Sequence, residues 1–238
     1  DRVRDYGWAK ASLILRNSGR VGGDLVGSFR VDADRVVVYS IDVSGHGVAS
    51  AMMTARLAGF LTGSSPEQNL AFQTGPDGDH VLLPPAAVVD RFNRLMLVEI
   101  QAEQYFTMVF AVFDRRTGRL DLVQAGHPHP MLVRRDGRVQ RLGQGGLPVG
   151  LIDGATYDQI TVQVAPGDRL VLVSDGFTEC PLPDGRDFGE DGLIESLQAS
   201  AHLTGSDLLE ALVWDLTAKA GTDSFPDDVS GIVLDLLE

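Results

Sequence analysis

Short apolar segments separated by turn-forming residues dominate the first part of the chain. Trp8–Leu15, Asp24–Val31 and Arg35–Asp42 are three such segments, and Gly, Asn, Ser and Asp fill the gaps between them. Segments of this length with such boundaries predict β-strands. Gly47–Leu61 differs, because it is rich in Ala, Met and Leu and apolar on nearly every side, which predicts a buried helix with Met52 in the core.

The middle of the chain combines an irregular stretch, a helix and several short strands. Residues 63–85 carry Gly, Ser, Pro and Asp without periodicity, which predicts an inserted surface loop. A second helix is predicted from Pro84-Pro85 onwards, with apolar residues near helical spacing as far as Ile100. Tyr105–Arg141 alternates apolar runs with turns, which is typical of a β-meander.

The last part of the chain contains further strands and two late helices. The strands are predicted at Asp158–Val164, Asp168–Ser174 and Val229–Leu236. An apolar stripe over Leu209–Leu216 predicts a helix opened by a capping box at Thr204–Asp207, with Trp214 in helix packing. Because short turns join most successive strands, the sheets are predicted to be antiparallel. The fold class is α+β, with helices covering a sandwich of sheets.

Composition and charge narrow the class of protein. The 238 residues suit a single domain, and their apolar runs fall far short of the ~20 residues that a bilayer span needs, so no membrane insertion is expected. A net charge of −13 makes nucleic acid an unfavourable partner. The lone Cys180 suits a reducing compartment, so a cytoplasmic location is expected. The start at Asp1, without Met or an apolar signal, suggests a piece cut from a longer chain.

Carboxylates recur where apolar strands meet turns rich in Gly or Pro. Asp24 follows Gly22-Gly23, Asp42 ends a strand before Val43-Ser44-Gly45, Asp175 precedes Gly176, and Asp227-Asp228 follow Pro226. Strand ends can converge on one rim, where gathered carboxylates repel one another unless a cation neutralises them. Oxygen ligands select Mg²⁺ or Mn²⁺, and a pair of such ions can direct water at phosphorus. Metal-assisted hydrolysis of a phosphate ester is therefore predicted from the aspartates together, although each one alone is more typical of an ordinary turn.

A series of motifs in a fixed order carries a family resemblance. The motifs are Val21-Gly22-Gly23-Asp24, Asp42-Val43-Ser44-Gly45-His46-Gly47, Tyr105-Phe106-Thr107, Ala125-Gly126-His127-Pro128, Gly146–Leu151, Pro166–Leu170, Ser174–Glu179 and Asp227-Asp228-Val229-Ser230. Together they resemble the SpoIIE/RsbU-like branch of the PPM (PP2C-like) metal-dependent serine/threonine phosphatases. The resemblance covers nearly the whole chain.

The resemblance implies a fold and a set of site residues. The implied fold is an αββα sandwich, with two antiparallel β-sheets flanked by helices. Two Mn²⁺ or Mg²⁺ ions are implied, with Asp42 bridging them. Asp24 and the Val43 carbonyl would complete the first ion site, and Asp175 with Asp227 the second. Asp42 and Asp175 are thus the expected catalytic residues.

Three assignments at the site stay open. Asp228 is expected behind the ligands or as an alternative to Asp227. His46, beside the expected ions, is a candidate proton donor to the leaving oxygen, with loop packing or substrate contact as the alternative. His127 is expected to be structural, because no third zinc ligand accompanies it and His129.

The resemblance also implies partners. The expected substrate is a STAS-domain anti-sigma factor antagonist phosphorylated on Ser or Thr, within bacterial partner switching. An N-terminal sensor or receiver domain in cis is expected, and the insertion at about 63–85 resembles members attached to response-regulator receivers. A homodimer is left open.

One departure from the family pattern supports an alternative. Gly27 stands where many members have a second Asp. The alternative function is a catalytically weak or inactive regulatory module that binds a STAS-type partner, and a third hypothesis is a small-molecule phosphohydrolase. The retained aspartates favour the enzyme.

Overall fold

The computed structural model describes residues 2–19, 22–45, 47–63, 66–101 and 103–237. His46 therefore lies outside the described residues. The strands are β1 (Val3–Asp5), β2 (Ala9–Arg16), β3 (Asp24–Arg30), β4 (Arg35–Val43), β5 (Phe72–Thr74), β6 (His80–Leu82), β7 (Phe106–Asp114), β8 (Arg119–Ala125), β9 (Met131–Val133), β10 (Val139–Arg141), β11 (Gln159–Gln163), β12 (Arg169–Val173) and β13 (Val229–Leu236). The helices are α1 (Val48–Phe60), α2 (Pro85–Arg94), α3 (Asp175–Thr178), α4 (Gly189–Ala199) and α5 (Gly205–Ala220).

Two antiparallel sheets form the centre of the fold. In the described part of the chain, one sheet has the order β1-β2-β13-β12-β9-β10 and the other the order β11-β8-β7-β4-β3. The predicted meander is thus divided, since β7 and β8 belong to one sheet and β9 and β10 to the other. Short turns explain the antiparallel pairing, because a parallel pair needs a long crossover.

Three apolar layers hold the sandwich together. Alternation along each strand sends one set of side chains into the gap between the sheets and the other set toward helices. Val38 and Leu234 lie between the sheets, Ile41 packs on the side of α1 and α2, and Val171 packs on the side of α4 and α5. The αββα architecture expected from the sequence is confirmed.

The prediction that α1 is buried all round was wrong. Met53 and Leu57 pack into the core, but Val48 is 69% and Met52 70% exposed. The helix lies against the sheet on one side only. The Ala and Met residues of α1 form no polar stripe, so the hydrophobic pattern does not indicate which side of this helix faces solvent. Trp214 is also exposed, because it lies opposite the apolar stripe of α5.

Two local predictions need correction. Thr204 is the residue before α5, as expected, but its side chain makes no capping hydrogen bond. Of the predicted loop at 63–85, residues 66–85 are more ordered than a plain loop, since β5 and β6 pair as a hairpin and Ala71 is fully buried. The prediction that the second helix reaches Ile100 is confirmed, because a π-helical segment, Leu95–Ile100, continues α2.

The ends of several strands meet at one end of the gap between the sheets. β3 begins, β4 ends and β7 begins at this end in one sheet, while β12 ends and β13 begins there in the other. The candidate aspartates sit at these strand ends. None of the described helices combines the length and the apolar character that crossing a bilayer would require.

Candidate metal centre

Asp24 and Asp42 face each other across two neighbouring strands. They are directly opposed in the antiparallel register of β3 and β4, so their side chains leave the sheet on the same face. Asp24 is buried, and its Oδ2 atom has no hydrogen-bond partner among the described residues. A buried carboxylate oxygen without a partner is costly, which makes this atom a candidate ligand for a cation.

Asp175 and Asp227 approach Asp42 from the other sheet. Asp175 opens the single turn of α3 directly after β12, and Asp227 precedes β13. Both line one cavity of about 830 Å³ together with Asp42. Val43, Tyr105 and Thr107 line the same cavity. The structure therefore brings together acidic residues that are up to 203 positions apart in the chain, from Asp24 to Asp227.

The electrostatics of these carboxyls favour a bound cation. Burial, together with the charges of Asp175, Asp24 and Asp227, raises the pKa of Asp42 to about 8. Burial raises the pKa of Asp24 to about 7, against the lowering effect of the Ser230 and Ser174 hydroxyls. A divalent cation would reverse these shifts, because it stabilises the charged form of each carboxyl.

The pKa of Asp175 shifts in the same direction. Burial raises it first, and the charges of Asp227 and Glu179 add to the rise. Hydrogen bonds from Asp42 and from the Gly176 backbone act the other way. Asp175 thus belongs to the same electrostatic cluster as Asp42 although it comes from the opposite sheet.

The donor set fits hard divalent ions held partly by water. Among the described residues, no three His, Cys, Asp or Glu side chains are arranged to hold one ion by themselves. Mg²⁺ commonly binds through one or two carboxylates and keeps several waters, so pairs of carboxylates suffice for it. The backbone carbonyl of Val43 adds a neutral oxygen near Asp42, and a Cβ at Gly23 would lie 2.9 Å from it.

Asp228 occupies a different place from Asp227. Its Oδ1 accepts hydrogen bonds from the Ser18 N–H (2.8 Å) and hydroxyl (3.1 Å), and its Oδ2 accepts one from the Gly23 N–H (2.8 Å). Both oxygens are thus occupied by chain donors. A Cβ at Gly22 would overlap Asp228 Oδ2, so the glycine there leaves room for this carboxylate. Asp228 fixes the loop that delivers Asp24.

Two residues at the site were not singled out from the sequence. Ser18 belongs to a segment that was interpreted only as a turn, and no local signal indicates its contact with Asp228, 210 positions away. Thr107 stands within a recognised motif but received no role. Its position directly opposite Asp42 in the β4–β7 register would have followed from a correct pairing of these strands.

Gly27 lies on the other face of β3 from Asp24. Three positions separate them, so alternation points residue 27 away from the cavity, where it pairs with Tyr39 on the helix-covered side. A Cβ at Gly27 would lie 2.6 Å from Tyr39 Cζ. The glycine therefore makes room for the buried Tyr39 ring, and it does not remove a carboxylate from the cavity.

Comparison with known proteins identifies the family. Residues 32–237 match the family model described as stage II sporulation protein E (SpoIIE). The chain belongs to this family.

Curated relatives of this SpoIIE-family chain include two phosphoserine phosphatases of Bacillus subtilis strain 168. RsbP is 28% identical over 164 residues, which cover 67% of this chain and 37% of RsbP. RsbU is 25% identical over 207 residues, which cover 87% of this chain and 57% of RsbU. The chain thus spans only part of the length of these relatives.

Solved structures show the same fold. The SiaA-PP2C domain of Pseudomonas aeruginosa aligns with a TM-score of 0.75 and 24% identity, over 96% of this chain and 86% of that one. The catalytic domain of the serine/threonine phosphatase PstP, solved in complex with two manganese ions, aligns with a TM-score of 0.64 and 18% identity, over 97% and 99%. The SpoIIE-family chain therefore has the PP2C-type fold.

We expect the Asp42→Asn variant to be more stable than the wild type at about pH 8 when divalent ions are chelated. A carboxyl whose pKa rises from 3.8 to about 8 on folding contributes stability below about pH 4 and loses it as the pH rises toward 8. Asn is neutral at every pH, so the difference in melting temperature between the variant and the wild type should be small near pH 4 and should grow with pH. Each kcal/mol of unfolding free energy corresponds to about 2–4 °C in melting temperature. Thermal unfolding in EDTA across this range measures it, and a pH-independent difference would contradict the assignment.

We expect Gly27→Asp to destabilise the domain without tightening Mn²⁺ binding. The new side chain would collide with Tyr39 and bury a carboxylate, at a cost of at least about 2 kcal/mol. Gly27→Ala serves as the control that adds bulk without charge. Chemical denaturation and calorimetric Mn²⁺ titration measure the two effects, and tighter Mn²⁺ binding at unchanged stability would show that residue 27 reaches the cavity.

Proposed function

We propose that this domain is a metal-dependent protein serine/threonine phosphatase. The observation that carries the proposal is the convergence of Asp42, Asp175 and Asp227 on one cavity. The raised pKa of Asp42 supports a cation at this cluster, because a cation would stabilise the charged carboxyl. Membership of the SpoIIE family and similarity to RsbP and RsbU, both named phosphoserine phosphatases, support the reaction class.

The proposed ligands divide into two groups around Asp42. Asp24 and the Val43 carbonyl would hold one Mg²⁺ or Mn²⁺ ion, Asp175 and Asp227 would hold the second, and Asp42 would contact both. The two manganese ions of PstP support this number. Asp228 is assigned a positioning role, because its oxygens already accept hydrogen bonds from Ser18 and Gly23.

The protein's own groups would perform a limited set of tasks. Bound divalent ions supply an acidified water and neutralise charge on the phosphoryl group. The carboxylates hold these ions, and Val43 and Thr107 contribute to the wall beside them. Among the described residues, no Arg or Lys lines the cavity, so the charge of a phosphate entering it would be met by cations.

The finer identity of the substrate rests on the family resemblance. We infer a phosphorylated STAS-domain protein as substrate, regulation by an N-terminal domain in cis, and a cytoplasmic setting. The names of RsbP and RsbU, both phosphoserine phosphatases, support phosphoserine as the group that is hydrolysed. The inactive-module alternative loses its main support, because Gly27 points away from the cavity. Relative rates on a phosphoprotein and on free phosphomonoesters distinguish the remaining small-molecule alternative.

We expect Asp175→Asn to reduce Mn²⁺-dependent dephosphorylation of a phosphoserine protein at least about 100-fold. This substitution removes a charged ligand while keeping its shape, and metal assistance is worth several kcal/mol of the barrier. Asp184→Asn, in an exposed turn, is the matched control and should retain full activity. Unchanged turnover in a folded Asp175→Asn variant would refute the site assignment.

We expect Asp227→Asn and Asp228→Asn to fail in different ways. Asp227→Asn should weaken Mn²⁺ binding with little loss of stability, because within the described part of the chain only the Asp228 backbone N–H donates to its carboxylate. Asp228→Asn should mainly destabilise the fold, by about 1–3 kcal/mol, because an amide cannot accept all the hydrogen bonds from Ser18 and Gly23. Thermal unfolding and calorimetric Mn²⁺ titration separate these effects, and the reverse pattern would exchange the two roles.

A further inference from the structure

A fully buried histidine lies directly behind the proposed metal centre. His127 is 3% exposed and follows Gly126, whose φ of 71° and close approach to Pro148 favour glycine. The Gln124 side chain donates a hydrogen bond of 2.6 Å to the His127 carbonyl. Burial lowers the pKa of His127 to about 3, so the ring is neutral at physiological pH. The ring is thus held rigidly and carries one proton.

The ring contacts a side chain that lines the acidic cavity. His127 Nδ1 lies 2.8 Å from Thr107 Oγ1. Thr107 is directly opposite Asp42 in the register of β4 and β7, and both residues line the cavity. The Thr107 hydroxyl therefore stands between a buried imidazole and the carboxylate cluster.

The tautomer of His127 sets the direction of this contact. Nε2 makes no hydrogen bond among the described residues, and Nδ1 contacts Thr107. With the ring proton on Nε2, Nδ1 is an acceptor and Thr107 donates its hydroxyl hydrogen to it.

We propose that His127 and Thr107 form a positioning pair, in which His127 accepts the Thr107 hydroxyl hydrogen and leaves the Thr107 oxygen lone pairs to accept a hydrogen bond from water in the acidic cavity. Without His127, the hydroxyl could turn its hydrogen toward the neighbouring Asp42 carboxylate and compete with a cation for it. With His127, the hydroxyl adds a neutral oxygen to the wall of the cavity. Mg²⁺ and Mn²⁺ sites retain waters that need such acceptors.

The inference rests on the proposed function but is tested apart from it. Mn²⁺ affinity and the tautomer of His127 are measurable even if no phosphoprotein is hydrolysed. Loss of the proposed function would appear as an inactive wild-type domain. Failure of the positioning pair would appear as an active wild-type domain whose Thr107 variants are indistinguishable from it.

The decisive comparison is Thr107→Val against Thr107→Ser. Val matches the shape of Thr without the hydroxyl, whereas Ser keeps the hydroxyl. We expect Thr107→Val to bind Mn²⁺ about tenfold more weakly by calorimetry, with a fall in kcat rather than a rise in KM for the phosphoprotein. Thr107→Ser should stay within about twofold of the wild type. If Thr107→Val equals the wild type in Mn²⁺ affinity and kcat, the proposal is wrong.

Two measurements on His127 complete the test. The ¹⁵N NMR signals of its ring should show a protonated Nε2 and a bare Nδ1, and the opposite tautomer would overturn the proposal. His127→Asn, whose amide can stand near the Nδ1 position, should restore part of the Mn²⁺ affinity lost in His127→Leu. In a Thr107→Val background, His127→Asn should cause no further loss of affinity, because His127 acts through Thr107. An equal additional loss in that background would show an independent, merely structural role.

Discussion

Repulsion between carboxylates gathered in a partly dry cavity is the constraint around which this domain is organised. Two sheets bring Asp24, Asp42, Asp175 and Asp227 to one end of the sandwich, where burial and mutual charge raise the pKa of Asp42 to about 8. The apolar layers between and outside the sheets must overcome this cost. A bound cation would offset this cost, because it stabilises the charged form of each carboxyl.

Hydrogen bonding separates the carboxylates that serve the scaffold from those that serve the cavity. Both carboxylate oxygens of Asp228 accept hydrogen bonds from Ser18 or Gly23, so this residue serves the scaffold. Asp24 keeps a buried oxygen that finds no hydrogen-bond partner among the residues the structure describes. Asp24 and Asp228 are similarly buried but have different roles. The difference lies in how many N–H and O–H donors the chain supplies to each carboxylate.

The local pattern of apolar and polar residues was sufficient to predict much of the fold. The last strand was predicted at its observed bounds, Val229–Leu236, because a mainly apolar run follows the turn residues Pro226-Asp227-Asp228. The exposure of Met52 could not be predicted, because α1 has no polar face and its partners are chosen by tertiary packing. The capping bond of Thr204 failed for a related reason, since a suitable residue type does not fix a rotamer.

The sequence predicted the residues of the candidate site only as aspartates at the ends of separate strands. Their convergence depends on registers such as Asp24 opposite Asp42, which involve residues far apart in the chain. The choice between the adjacent Asp227 and Asp228 needs the direction of each side chain, and no one-dimensional pattern contains it. The contact between Thr107 and His127 likewise appears only when β7 and the turn after β8 are placed together.

The position of β13 has a consequence for how the domain is made. This strand, the last in the fold, is inserted between β2, near the beginning, and β12. While the chain emerges from the ribosome, β2 and β12 have no lasting partner in the middle of their sheet, so that sheet is completed only after translation has passed residue 236. Such long-range closure is slow, and it exposes unpaired strand edges in the meantime. The acidic centre, which includes Asp227 just before β13, is therefore completed only after this strand has been synthesised.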